Sequence, residues 1–399
     1  MIKVYLDWNC ITHSKDKFSK LKDLLEQYSG LFICPYSEAH LRDVQTNFNA
    51  NPVEYEKDLD LLTEICRTHL ILLTNGELRL LCATPKEYLK DSGDVLDYIQ
   101  NSFKFPYSEI RGLIQKTIPH DILHRISIEN SPNNVIPMIN SIIKNNTKTD
   151  DDLDALLKRA KPSGQNNLEE RIKGVYYALD MMGYKKESDK KSFANIDTDA
   201  QHVAIASMCD YFISDDKKLR SKATSIYSSL GCVTKVMDVT SFIEIIPTIA
   251  DECYKEDLIP YAMQNMGFPT MKEDGAHIKA LDYPLFGAFK FCYNANALDN
   301  SMPSNISLFM PGTFMFYDEL LPLAKITTIQ LPDELKQAQI DNYIQSYKQS
   351  KPIERFTFVL ISPKYEYECT LLKYDGLPAL RVKYTERLSK KNVLPNSPI

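Results

Sequence analysis

Residues 197–223 read DTDAQHVAIASMCDYFISDDKKLRSKA, and this stretch decides how the chain is read. Asp199 to Met208 has the apolar spacing of a helix, with Asp199 at its predicted start. Tyr211 to Ile213 reads as a short buried strand that ends at Ser214, Asp215 and Asp216. Lys217 to Ser228 reads as the next helix. A helix, a short apolar strand, a pair of acids and another helix form one unit of an α/β fold with a parallel sheet. In such a sheet, residues just past the strand C-termini gather at the edge where ligands bind.

Outward from this stretch the same rhythm recurs. Ile2 to Leu6 is a short β-branched run that stops at Asp7. Leu31–Cys34, His69–Thr74 and Cys232–Met237 are further strand candidates. Helical spacing covers Lys15–Tyr28, a segment capped by Ser37 and carrying Asp43, then Val53–Arg67, and Val239–Ile246 before Pro247. From about 84 to 193 the rhythm breaks into amphipathic pieces with polar spacers, which predicts a mostly helical insertion. After about residue 250 Tyr, Phe and Pro increase. Glu354–Ile361, Lys364–Lys373 and Ala379–Thr385 alternate as antiparallel strands, with Asp375-Gly376 suited to a tight turn. The expected architecture is an α/β domain over 1–248, interrupted by the 84–193 insertion, followed by an α+β domain over 249–399.

Composition limits the function. Across 399 residues, Lys+Arg 47 against Asp+Glu 53 leaves a net charge of −6, so any phosphate binding must come from a local patch or from metal. The nine cysteines are scattered without a CxxC pair, which reads as reduced thiols in a cytoplasm. MIKVYLDWNC lacks the apolar core of a signal peptide, and no run approaches the length of a membrane span.

The acids carry the chemistry. Asp7 follows the first strand, Asp43 lies on the helix after the second, Asp199 opens the helix after the insertion, and Asp215 and Asp216 follow a later strand. Each alone is an ordinary cap or turn former. Their joint position on one sheet edge is what raises a metal reading above that one. Carboxylates gathered there repel unless cations lie between them, and hard oxygen donors favour Mg²⁺ or Mn²⁺. Two such ions can activate water, orient a phosphodiester and stabilise the leaving oxygen.

YLDWNCIT, CPYSEAHLRDV and DTDAQHVAIASMCDYFISDDKKLRSKA together resemble the PIN domain family, over about residues 1–80 and 194–246. The resemblance implies a three-layer α/β/α fold around a central parallel sheet and a Mg²⁺- or Mn²⁺-dependent nuclease, most often an endoribonuclease. It implies that Asp7 is the first metal acid, supported by Asn9, and that Ser37 opens the second motif. Asp43 stands where the family usually has Glu, with Glu38 as its competitor. Asp199 matches the third acid, Ser214 the Ser/Thr before the fourth, and Asp216 rather than Asp215 the fourth. Asp197 and Asp215 read as outer acids or bystanders. The long insertion and the region after 250 depart from the family's minimal pattern and leave substrate and regulation open.

His202, one turn after Asp199, faces either substrate phosphate or a bound acid, or is a half-buried polar neighbour. Trp8 reads as core or as a base-stacking residue. Lys185, Lys186, Lys190 and Lys191 precede Asp197, and Lys217, Lys218, Arg220 and Lys222 follow Asp216. A solvated face is the default for such runs, and a nucleic-acid track is the alternative, with Lys217, Lys218 and Arg220 as its candidate substrate contacts. Arg381, Lys383, Arg387, Lys390 and Lys391 form a further basic stretch. RNA is expected ahead of DNA, a protein partner is open through 249–399, and a homo-oligomer is open as well.

Two rivals compete. A haloacid-dehalogenase phosphatase needs a second Asp two residues after the first, and that position is Asn9. A PIN-like scaffold that binds RNA or protein without cutting would be expected to lose acids, and all four positions keep one. By analogy of organisation the chain suits a toxin-like or defence effector.

Overall fold

The computed structural model describes residues 1–45, 48, 51–74, 77–102, 111–112, 115–116, 135–147, 150–160, 167–188 and 191–253, and the strand segments 270–271, 277–285, 289–294, 305–309, 356–361, 365–374 and 377–386. The chain divides into two compact units, Lys3–Ile245 and Ile246–Ile399, the latter together with Met1–Ile2.

The first unit is α/β. Strand β1 (Ile2–Leu6) is buried along its whole length and is followed at once by a short helix α1 (Trp8–His13) that the sequence reading did not anticipate. Helix α2 (Ser19–Gln27) leads to β2 (Phe32–Ile33) and β3 (Tyr36–Ser37). Only Cys34 and Pro35 separate these two strands. Pro35 has no amide hydrogen to give to a ladder, so the run breaks there. Helices α3 (Glu38–Gln45) and α4 (Pro52–Cys66) follow, then β4 (His69–Thr74) and β5 (Glu77–Cys82).

The insertion region holds α5 (Pro85–Ser102), α6 (Ile136–Thr147), α7 (Leu153–Ala160) and α8 (Leu168–Met181), and no strand among its described residues. The rhythm returns with α9 (Phe193–Ala206), β6 (Tyr211–Ile213), α10 (Lys217–Leu230), β7 (Lys235–Met237) and α11 (Val239–Cys253). α10 ends where Gly231 takes the left-handed conformation, a position at which a side chain would be strained.

The strands form a sheet of order β2-β1-β6-β7 and a second of order β3-β4-β5. Pairing is parallel between β1 and β6 (Leu6 opposite Ile213), between β6 and β7, and between β3 and β4; β4 and β5 are antiparallel. Parallel neighbours require crossovers, which the helices supply. This is a parallel sheet with helices, compatible with three layers. The match of Leu6 to Ile213 decides the site, because it ends β1 and β6 level. Asp7 N–H then donates to Ile213 O at 2.8 Å, and Ser214 N–H to Met237 O at 3.2 Å.

Three sequence expectations need correction. Asp199 does not open its helix: Ser192 caps α9, its Oγ accepting from Asn195 N–H at 3.4 Å, and Asp199 lies in the helix interior. Ser37 is a buried strand residue, and no cap bond from its hydroxyl holds α3; it turns to Tyr5 instead. Pro247, expected to follow the closing helix, lies inside α11.

In the second unit the described strands are β8 (Thr270–Met271), β9 (His277–Leu285), β10 (Phe289–Asn294), β11 (Asn305–Phe309), β12 (Phe356–Ile361), β13 (Tyr365–Tyr374) and β14 (Leu377–Glu386). They form one antiparallel sheet of order β12-β13-β14-β11-β10-β9-β8. Tyr374 pairs with Leu377 at the β13–β14 hairpin; Asp375 and Gly376, the expected turn, lie outside the described residues. No helix among the described residues is long and apolar enough to cross a membrane.

Candidate acidic site

The level ends of β1 and β6 bring the first and fourth acids to one hydroxyl. Ser214, fully buried, donates through Oγ to Asp7 Oδ2 at 2.9 Å and accepts from Asp216 N–H at 3.1 Å. Asp216 caps α10, its Oδ1 accepting from Lys218 N–H at 2.7 Å and Leu219 N–H at 3.1 Å. Asp215, by contrast, turns to Lys17, 2.7 Å away.

Asp43 on α3 and Asp199 on α9 complete the group, each with a hydrogen-bond donor at one oxygen. His202 Nε2 donates to Asp43 Oδ2 at 2.9 Å, and Lys191 Nζ to Asp199 Oδ2 at 2.8 Å. Asp43 and Asp216 bear on Asp7, and Asp43 bears on Asp199. Burial raises the Asp7 carboxyl above its ordinary value, and the charges of Asp43 and Asp216 add to this, against His202 and Ser214. Burial raises Asp199 to about 7 against the pull of Lys191, with Glu187 and Asp43 adding to the rise. For His202, burial works downward, but the Asp43 bond and the charges of Asp43, Asp7 and Asp199 outweigh it and raise the imidazole.

Behind His202 lies a buried polar chain. Tyr5 Oη meets His202 Nδ1 at 2.8 Å and Ser37 Oγ at 2.6 Å. His40 Nε2 donates to Leu6 O at 2.7 Å, since a carbonyl only accepts. Its Nδ1 therefore accepts, and Ser37 N–H reaches it at 3.1 Å. Burial, and then His202, push the His40 imidazole well below its ordinary value, so it is neutral. This chain ties α3 and α9 to the last residue of β1, directly before Asp7.

The remaining sequence candidates are distributed as follows. Asn9 is exposed on α1. Glu38 accepts from Tyr88 Oη at 2.5 Å, whereas Asp43 is the acid that acts on Asp7, Asp199 and His202. Lys217 and Lys218 are exposed, and Lys218 Nζ donates to Lys186 O at 2.9 Å. Arg220 turns back to Ser214 O at 2.5 Å, at the end of β6. Lys190, Arg387, Lys390 and Lys391 lie outside the described residues.

Asp197 is held in a network of ion pairs between helices. It accepts from Arg42 Nη1 at 2.7 Å, from Lys173 Nζ at 3.1 Å and from the Tyr177 hydroxyl, joining α3, α8 and α9. Burial alone would raise it, but Lys173, Tyr177 and Arg42 outweigh burial and lower it. Replacing it by Ala leaves two cations without their anion inside the unit. The expected cost is about 1–3 kcal/mol, read as a lower urea midpoint at unchanged m-value.

Of the basic residues that the sequence placed on a solvated face, the structure buries Lys222 and half-buries Lys191 against two carboxylates. Lys222 is fully buried; its Nζ reaches Asp180 Oδ1 at 2.8 Å and Glu187 Oε1 at 3.2 Å and lies 4.5 Å from the centroid of the Tyr176 ring. Arg111 Nη1 reaches Asp180 Oδ2 at 3.1 Å. A signal was present in the spacing: Lys222 falls on the buried stripe of α10 with Leu219, Ala223 and Ile226, as Asp180 does on α8 with Ile172, Tyr176 and Leu179.

The donor set suits a hard divalent ion in kind, being four carboxylates. As the side chains stand, Lys191 and His202 occupy two of the four, and no three acids, histidines or cysteines among the described residues are disposed around one ion. Compared with known proteins, the chain matches no family model, no curated protein and no solved structure.

Proposed function

We propose that the chain is a metal-dependent nuclease of the PIN type, an endoribonuclease ahead of a DNA nuclease, that hydrolyses phosphodiester bonds at the edge formed by β1 and β6. The observation that carries the reading is that Asp7 and Asp216 share the Ser214 hydroxyl while Asp43, from a distant segment, lies close enough for its charge to add to the rise that burial first causes in Asp7 and Asp199. Crowded carboxyls of this kind mark functional sites more often than structural ones. Asp7, Asp43, Asp199 and Asp216 would hold Mg²⁺ or Mn²⁺. Bound there, the ion would supply an activated water and positive charge at the phosphoryl oxygens.

The chain's own residues do the rest. Ser214 fixes Asp7 relative to Asp216, His202 orients Asp43, and the exposed Lys217 and Lys218 offer charge to a backbone beside the edge. The buried thiols of Cys10, Cys34 and Cys66 fit a reducing, cytoplasmic setting. We leave residues 249–399 the role of a partner-binding or substrate-binding region.

A second reading, an RNA-binding scaffold that does not cut, is favoured by the occupation of Asp43 by His202 and of Asp199 by Lys191. Asp216→Asn separates the two. Asn caps a helix as well as Asp, so α10 and the melting temperature are expected to hold. Mn²⁺-dependent cleavage of a panel of single-stranded and structured RNAs is expected to fall about a hundredfold, the usual scale for losing one such group. RNA binding without cleavage by the wild type selects the scaffold. Equal cleavage by wild type and Asp216→Asn overturns the site.

A further inference from the structure

We propose that Lys191 is a resident cation of the acidic site: its ammonium stands against Asp199 in place of a divalent ion, so the site takes one Mg²⁺ or Mn²⁺ and Lys191 supplies the positive charge a second would bring. This deepens the nuclease reading and rests on it.

Lys191 is held at two points. Its Nζ bridges Asp199 Oδ2 at 2.8 Å and Glu187 Oε2 at 3.1 Å, a doubly anchored ammonium that is only half-buried. A lone surface pair would contribute little and wander. Glu187, however, is buried and fixed at three points. Its Oε1 meets Lys222 Nζ at 3.2 Å, its N–H donates to Asp180 Oδ1 at 2.9 Å, and its carbonyl accepts from Arg111 Nη1 at 3.1 Å. Lys222 and Arg111 in turn share the two oxygens of Asp180. A lattice of buried charges that is costly to assemble thus ends on one lysine, aimed at the third acid of the site. An ammonium and a divalent ion compete for the same carboxylate oxygen. A lysine seated this firmly is displaced at the cost of leaving Glu187 short of one cation.

The geometry also assigns a role to part of the insertion. Asp180, near the end of α8, and Glu187 and Lys191, between α8 and α9, lie within or at the end of the region that interrupts the α/β rhythm. The insertion thereby contributes a charge to the site instead of merely extending the chain.

The test is Mn²⁺ binding to the full-length, metal-free protein, followed by isothermal titration and by the electron paramagnetic resonance of free Mn²⁺, beside RNA cleavage at saturating Mn²⁺. Wild type is expected to bind one Mn²⁺ per chain, and Lys191→Arg one as well. Lys191→Met is expected to bind two and to cleave at least tenfold more slowly, because an ion at Asp199 does not reproduce a lysine anchored on Glu187. Two ions on a wild type that cleaves overturn the resident-cation proposal and leave the nuclease reading intact. One ion on Lys191→Met, with wild-type cleavage, also overturns it and makes Lys191 a purely structural partner of Asp199. No Mn²⁺ bound and no cleavage by wild type overturn both. Should Lys191→Met not fold, the wild-type stoichiometry alone decides.

Discussion

Asp7→Asn is expected to abolish Mn²⁺-dependent RNA cleavage, by a hundredfold or more on the usual scale for such groups, while making the metal-free protein more stable. Both halves have one cause. Asp7 is buried at the end of β1, where burial and then Asp43 and Asp216 raise its carboxyl above its ordinary value. A group whose folded-state pKa is raised binds more protons folded than unfolded. Its contribution is therefore fully present below the ordinary value of 3.8 and is lost as pH climbs through that value to the raised one. Above the raised value the wild type carries an ionised carboxylate that the fold disfavours.

Asn keeps the shape and still accepts from Ser214 but carries no charge. The gain is about 0.5–2 kcal/mol, the common scale when a functional site is relaxed. The difference in melting temperature should accordingly vanish near pH 4, about where an ordinary aspartate titrates, and open as pH rises toward 8. Added Mn²⁺ should close it again, since an ion bound to the folded state stabilises only the protein that can hold it. A variant that cuts at the wild-type rate, or melts lower than wild type at pH 8, removes Asp7 from the site.

The features that the sequence made legible are those governed by short-range patterns. β1, β4 and β6 fall where their apolar runs predict, because each is short, rich in apolar or β-branched residues and closed by a polar residue. The start of α9 did not, because Asp197-Thr198-Asp199 has the look of a first turn while the true cap, Ser192, is followed by the unremarkable Phe193-Ala194-Asn195. β5, a single antiparallel strand added to β4, carries no strand reading in the sequence. In the site, Asp7 and Asp216 were visible from their positions at strand ends, and Asp43 and Asp199 from their places on the helices of the motif. Their partners were not, because nothing local ties Lys191 to Asp199 or Tyr5 to His202; these are choices of tertiary packing. The polar residues on apolar stripes, Lys222 and Asp180, were the available hint. A lysine at a core position of a helix is either a misplaced surface residue or one end of a buried pair, and a single sequence does not say where the other end lies.

That buried pair yields the largest expected effect on stability. Lys222→Met should lower stability by about 3–5 kcal/mol, the range for removing one partner of a buried ion pair. Lys222 is fully buried, and its ammonium answers two carboxylates, Asp180 and Glu187, that are also buried. Methionine fills similar space with no charge, so packing against Tyr176 is largely kept while two anions are left to share Arg111 and Lys191. Arg111 satisfies only one of Asp180's oxygens, and Lys191 is already committed to Asp199. The second variant, Lys222→Met with Asp180→Asn, removes one of the stranded anions and should recover part of the loss, since a well-packed neutral pair at a buried site often matches the ion pair it replaces. Urea unfolding of the two variants beside wild type measures this directly. If the double variant is no more stable than Lys222→Met alone, the loss came from packing, and the charge lattice that seats Glu187 and Lys191 is not what holds this end of the unit together.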